Sequence, residues 1–144
     1  MHTVPLGFGE MDATHREFVE QVSELIEADD ASVARALAAL AKHLRSHFGE
    51  EREWMRITAF PSAACHLEEH DAVLRSVEEV QALVATGELA VARALAFELT
   101  RWFPEHTDTM DRGLAKWMVK ARLGGEPIAF EHRMKRARLD PRLG

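Results

Sequence analysis

Histidines and carboxylates recur at one-turn spacing along this chain. His47 and Glu51 are four residues apart, as are His66 and His70; His15 stands alone, and His106 and Asp111 are five apart. On an α-helix each residue advances about 100°, so side chains four apart point the same way. Five imidazoles and two carboxylates, supplied by four separate helical segments, are what a two-metal site in the interior of a helix bundle needs. A lone histidine on an apolar stripe is more often a hydrogen-bonded core residue than a ligand. The set changes the balance. Without a metal, several buried imidazoles would each need a separate partner, at a cost of about 1–3 kcal/mol for each group left unpaired. A shared metal satisfies them together.

The elements that must position these groups are helical throughout. Residues 1–10 read as an irregular arm, broken by Pro5, Gly7 and Gly9. A first helix is expected from about Asp12 to Ala28, with Met11, Phe18, Val22, Leu25 and Ile26 at helical spacing and His15 in their stripe. After the turn Asp29–Ser32, with Asp30 or Ser32 as N-cap, a second helix runs from about Ser32 to Met55. Leu37, Leu40, Leu44 and Phe48 form its buried stripe, and His47 and Glu51 continue it. Ile57 to Ala64 is a connector, with Phe60-Pro61 as breaker and Ser62 as a candidate cap. The third helix runs from about Ala63 to Ala85, where Val73, Val77, Val80 and Val84 extend the line of His66 and His70; Gly87 suits its C-terminus. The fourth runs from about Glu88 to Leu123, ended by Gly124-Gly125 and Pro127. Short connections and no strand-period segment make the fold class all-α, an up-down-up-down four-helix bundle over residues 1–125. Residues 126–144 form a tail in which Ile128 to Leu139 could make a short basic helix.

Three positions need a choice. His43 is four before His47, and Glu50 adjoins Glu51, but rotation places both to one side of the stripe, so both are read as flanking surface groups. His106 and Asp111 would be about 140° apart on a regular helix. An extra residue in the turn, a π-bulge, would bring both inward, and Pro104 makes distortion plausible there, so irregular helix bonding is expected between about Arg101 and Asp111. Cys65 should pack as a small apolar residue, and Trp102, Phe103 and Met110 as core. His2 and His132 receive no role.

Composition bounds the rest. The chain has 144 residues, 47% apolar and 29% charged, which suits one domain with a substantial core. Its net charge is −6, but the tail from Glu126 sets five cations against three acids, which leaves −8 for the remainder. An acidic body argues against nucleic acid as a partner. The single cysteine allows no internal disulfide. No apolar run approaches the roughly 20 residues of a membrane span, and the N-terminus lacks the pattern of a signal peptide. A cytoplasmic protein without membrane contact is expected.

These motifs resemble those of the hemerythrin family, bacterial hemerythrins in particular. They are Met-Asp-x-x-His at 11–15, His-Phe-x-x-Glu at 47–51, His-x-x-x-His at 66–70 and His-x-x-x-x-Asp at 106–111, in that order, over about Gly9 to Leu123. The resemblance implies a non-haem di-iron centre: His66, His70 and His106 on one iron, His15 and His47 on the other, with Glu51, Asp111 and an oxo or hydroxo group bridging. The iron with two histidines would keep an open position for dioxygen. A tryptophan one turn before the fourth-helix histidine is common in the family, and Trp102 fits; for the aromatic residue of the N-terminal arm only Phe8 is available. The function implied is reversible dioxygen binding, as carrier, store or supplier, with no catalytic residues and no enzyme activity. The competing readings are an oxygen or redox sensor acting through a separate partner, a di-iron enzyme acting on peroxide or nitric oxide, and a bundle that binds zinc adventitiously.

Overall fold

The computed structural model describes residues 3–123. Among them the chain forms α1 (Gly9–Glu27), α2 (Val33–Thr58), α3 (Ala63–Ala85), α4 (Ala90–His106), a π-helical turn (Thr107–Asp111) and α5 (Arg112–Leu123). The residues flanking the π turn, His106 and Arg112, keep α-helical dihedrals, so α4, the π turn and α5 make one continuous rod. α1 packs on α2 and α4, and α3 on α2 and α4, which closes a four-helix ring of antiparallel neighbours. His2, His132 and the expected tail helix lie outside the described residues.

Several boundaries differ from the sequence reading. α1 begins at Gly9, not Asp12, because the Phe8 carbonyl already accepts the Asp12 N–H at 3.0 Å. Asp12 in turn accepts the N–H groups of Leu6 (2.8 Å) and Gly7 (3.2 Å), so a residue of the first turn holds the arm against the helix. Ser32, one of the two expected candidates, takes the N-cap position before α2 but makes no side-chain bond into the helix, and Asp29 braces it instead. Its carboxylate accepts the Ser32 N–H at 2.9 Å and the Ser32 hydroxyl at 2.8 Å, while Ser32 Oγ accepts the Asp29 N–H at 3.2 Å. The two hydrogen bonds from Ser32 lower the Asp29 carboxyl below its ordinary value.

α2 runs on to Thr58, three residues past Met55, and shortens the connector. Ala59 then takes left-handed dihedrals (φ 53°), and the Phe60 N–H closes the turn on the Met55 carbonyl at 2.9 Å. Ser62 makes no side-chain capping bond to α3. α3 ends as expected, with Gly87 at φ 96° and Glu88 N–H bonded to the Leu83 carbonyl at 3.1 Å. Pro104 does not interrupt α4: it lies on the exposed side, where its missing N–H costs one ladder bond only.

The apolar core is divided. One cluster joins Phe18, Val22, Leu25, Leu37, Leu40, Leu44, Phe48, Val77, Leu95, Leu99 and Phe103. The other joins Phe8, Met11, Trp54, Met55, Leu114, Ala115 and Met118. Along α1 and the α4–α5 rod, His15, His106 and Asp111 fall between members of the two clusters, and Glu51 falls between them on α2. A buried polar layer therefore separates two hydrocarbon plugs. No helix among the described residues is long and apolar enough to cross a membrane.

Candidate metal centre

The polar layer is made of the seven side chains singled out by spacing, and all are at most 5% exposed: His15, His47, Glu51, His66, His70, His106 and Asp111. Their ligating atoms fall in two groups, His66, His70, His106 and Asp111 in one and His15, His47 and Glu51 in the other, with all atoms of a group within 4.8 Å of one another.

The two carboxylates join the groups. Glu51 places Oε2 2.5 Å from His47 Nε2, and Oε1 3.2 Å from His66 Nε2 and 3.5 Å from His70 Nε2. Asp111 places Oδ2 3.0 Å from His15 Nε2, and Oδ1 3.0 Å from both His66 Nε2 and His106 Nε2. Each carboxylate thus presents one oxygen to each group. Asp111 reaches this position through the π turn, which absorbs one extra residue and returns it to the inward face.

The donor set fits metal. His15 Nε2, His66 Nε2, Glu51 Oε1 and Asp111 Oδ1 are buried with no hydrogen-bond partner, although opposite groups lie about 3 Å away. They lie close together without bonding, within 4.8 Å of the other ligating atoms of their group. The inward nitrogens of His70 and His106 also face each other at 3.2 Å, although only one of any such pair can donate. Orphaned buried groups on this scale are rare in native proteins, and a cation between them would satisfy all of them. Imidazole with carboxylate suits iron, zinc, copper or nickel better than calcium or magnesium.

Charge inside the layer is strongly coupled. Burial and Asp111 push the Glu51 carboxyl up, but His47 and His66 outweigh them and hold it at about 2. Burial likewise opposes ionisation of Asp111, and His106, His15 and His66 pull it well below the usual carboxylate range. His66, opposed by burial but beside both carboxylates, is raised to about 9. His70 is depressed to about 3, first by burial and then, against the pull of Glu51, by the neighbouring imidazoles of His66 and His106. The layer concentrates negative charge on two carboxylates and cannot protonate all its imidazoles.

Aromatic rings hold the imidazoles in place. Phe48 stacks on His70 (3.8 Å, 6°) and Trp102 on His106 (4.4 Å, 22°). Phe103 meets His15 edge-on at 5.1 Å and is backed by Phe18 at 4.7 Å.

Some expectations fail here. His43 is not a surface group: its side chain is 8% exposed, its ring is 5.8 Å from that of His47, and its Nδ1 is 3.7 Å from Glu17. α1 covers the flank of α2 at this level, which helix rotation alone does not show. Burial first, then His47, lowers its pKa. Glu50 is exposed, as expected of a flanking group. Cys65 is exposed rather than packed. Met110 and Trp102 are only partly buried, while Phe103 is core. Phe8, the arm's aromatic residue, packs edge-on against Trp54 at 5.0 Å in the second apolar cluster. Sequence reasoning passed over Glu69, which bonds His106 from outside the layer; the signal available was its place within the His66–His70 turn.

Comparison with known proteins agrees with this geometry. Residues 6–118 match the model of the hemerythrin HHE cation-binding domain. A bacteriohemerythrin from Ralstonia nicotianae is 38% identical over 115 residues, which cover 80% of this chain and 84% of that protein. No solved structure gives a significant match. A family model spanning most of the chain, a relative at this level of identity and the paired cluster together place the chain in the hemerythrin family.

Proposed function

We propose that the chain binds dioxygen reversibly at a non-haem di-iron centre, as an oxygen carrier, store or local supplier. The observation that supports this most is the pair of carboxylates, each with one oxygen in each ligand group. Two carboxylates placed in this way suit two cations better than one. His66, His70 and His106 would hold one iron and His15 and His47 the other, with Glu51 and Asp111 shared. Two ferrous ions held by these residues would supply the electrons for uptake of dioxygen, and a set rich in neutral imidazole favours the reduced state more than a carboxylate-rich set does.

The chain's own residues define the setting for that chemistry. His15 and His47 offer one imidazole fewer than the other group, so their side has room for a ligand from outside. Phe103 and Phe18 wall that side with hydrocarbon. Exclusion of water and of proton donors opposes loss of the bound species and so slows irreversible oxidation. A carrier role needs no general acid or base in contact with the ligand, and the largely buried His43 faces Glu17 instead. We place the protein in the cytoplasm, in keeping with its lone cysteine.

The test is an absorption spectrum of the reduced, iron-loaded protein before oxygen, after oxygen and after its removal. A change that appears with oxygen and reverses on its removal supports the function. Oxidation within seconds that does not reverse would count against it.

A further inference from the structure

Glu69 belongs to neither ligand group, yet it touches one of them. It precedes His70 on α3 and so is turned about 100° from it, away from the layer. Its Oε1 accepts from His106 Nδ1 at 2.6 Å and from Trp102 Nε1 at 3.0 Å. Trp102 also lies flat on the His106 ring. One carboxylate oxygen therefore fixes two rings that are themselves stacked. An ionised carboxylate can only accept, so the proton of a neutral His106 must sit on Nδ1. That leaves the Nε2 lone pair facing Asp111 Oδ1 and His70. His70 has no counterpart to this arrangement, since its Nδ1 is buried without a partner.

The surroundings of Glu69 keep it available for this role. Its side chain is 32% exposed and lines a surface cleft of about 380 Å³ with Ser76, Glu105 and Thr109. The cleft leaves the carboxylate open to solvent while one oxygen reaches the ring, so the contact avoids the cost of full burial.

We propose that Glu69 is a positioning residue of the metal centre: it sets the tautomer and rotation of His106 and, with Trp102, strengthens that imidazole as a metal ligand. A carboxylate on the far nitrogen of a ligating histidine raises the basicity of the near one, and loss of such a partner typically costs about 10–100-fold in metal affinity or activity. The role rests on the reading of the layer as an iron centre, and the experiment separates the two.

Iron-loaded full-length wild type, Glu69→Ala, Glu69→Gln and Glu68→Gln are challenged with excess chelator, and the rate of iron loss is followed. Glu68 is the exposed neighbour and serves as control. Glu69→Ala should lose iron about 10–100-fold faster than wild type. Glu69→Gln keeps an acceptor of nearly the same shape without the charge, so it should fall between them and cover the case of a poorly folded Ala variant. Glu68→Gln should match wild type. Nitrogen-15 spectra of the metal-free chains should show the His106 proton on Nδ1 in wild type and a changed tautomer balance in Glu69→Ala. A mere strap between α3 and α4 would lower the melting temperature but leave iron release and tautomer unchanged, which overturns the role. Iron in wild type with equal release from every variant overturns the role alone; no iron in wild type overturns the metal-centre reading and the role together.

Discussion

His66 lies at the electrostatic centre of the buried layer, with Glu51 Oε1 at 3.2 Å and Asp111 Oδ1 at 3.0 Å. Those carboxylates raise it from 6.5 to about 9 against the opposing effect of burial. A ligating imidazole must be neutral, so metal must displace this proton. Metal affinity should therefore climb as pH rises from 7 toward about 9, with about one proton released per chain from this residue. The metal-free chain should behave in the opposite way. Its stability from the charged His66 is complete below 6.5 and is lost as pH rises through about 9. Titration calorimetry in buffers of different ionisation enthalpy and denaturant melts of the two forms check this; an affinity independent of pH over that range would contradict it. At this scale the sequence was most legible where one helix carries the whole signal. His47 with Glu51 and His66 with His70 declare a shared face by spacing alone. Glu69 and His43 were illegible because their surroundings come from neighbouring helices: Trp102 and His106 across 33 and 37 residues for Glu69, and Glu17 on α1 for His43.

Among the elements, the π turn at Thr107–Asp111 is the least regular and has a direct structural use. It lets His106 and Asp111, five apart, act like residues four apart. Deleting the exposed Thr109 should convert the turn to ordinary α-helix while leaving the carboxylate and α5 in phase. Such a variant should fold, keep Leu114 and Met118 in their cluster and bind the same amount of metal. Loss of both fold and metal would show that the turn does more than absorb a residue. This distortion was foreseen from spacing, because two polar groups that must face inward cannot do so on a regular helix. The helix ends were less legible, since hydrogen bonds outside the apolar period set them. Asp29 braces the N-cap Ser32 from three residues upstream, and a left-handed Ala59 lets α2 run on to Thr58. Ala59 is the one described non-glycine residue with positive φ. Glycine removes that strain at the cost of greater chain entropy, so Ala59→Gly should stabilise the protein by about 0.5–1 kcal/mol. A thermal melt should shift upward by about 2–4 °C per kcal/mol for a domain of this size; a lower melting temperature would refute the strain argument.

For the molecule as a whole, the polar layer is a liability that bound metal would turn into a tie. Two hydrocarbon clusters flank five imidazoles and two carboxylates, several of them without hydrogen-bond partners. A ligand that binds the folded state alone adds stability by mass action, about 4 kcal/mol at a thousandfold excess over its Kd. Chelation should therefore lower the denaturant midpoint, and restored metal should recover it. An unchanged midpoint would mean that the layer is satisfied without metal. The bundle itself was legible from apolar period and short connections, because each helix buries one stripe against its sequence neighbours. The division of its core was not, since a stripe shows which face is buried but not what lies opposite at each level.

The central claim is that seven side chains from four helical segments hold two metal ions, and iron content per folded chain tests it most directly. Protein made in iron-replete cells and purified without oxygen should contain two iron atoms per chain, and Asp111→Ala should reduce that number without unfolding the bundle. A wild-type chain that holds no iron, or one atom at saturation, would contradict it.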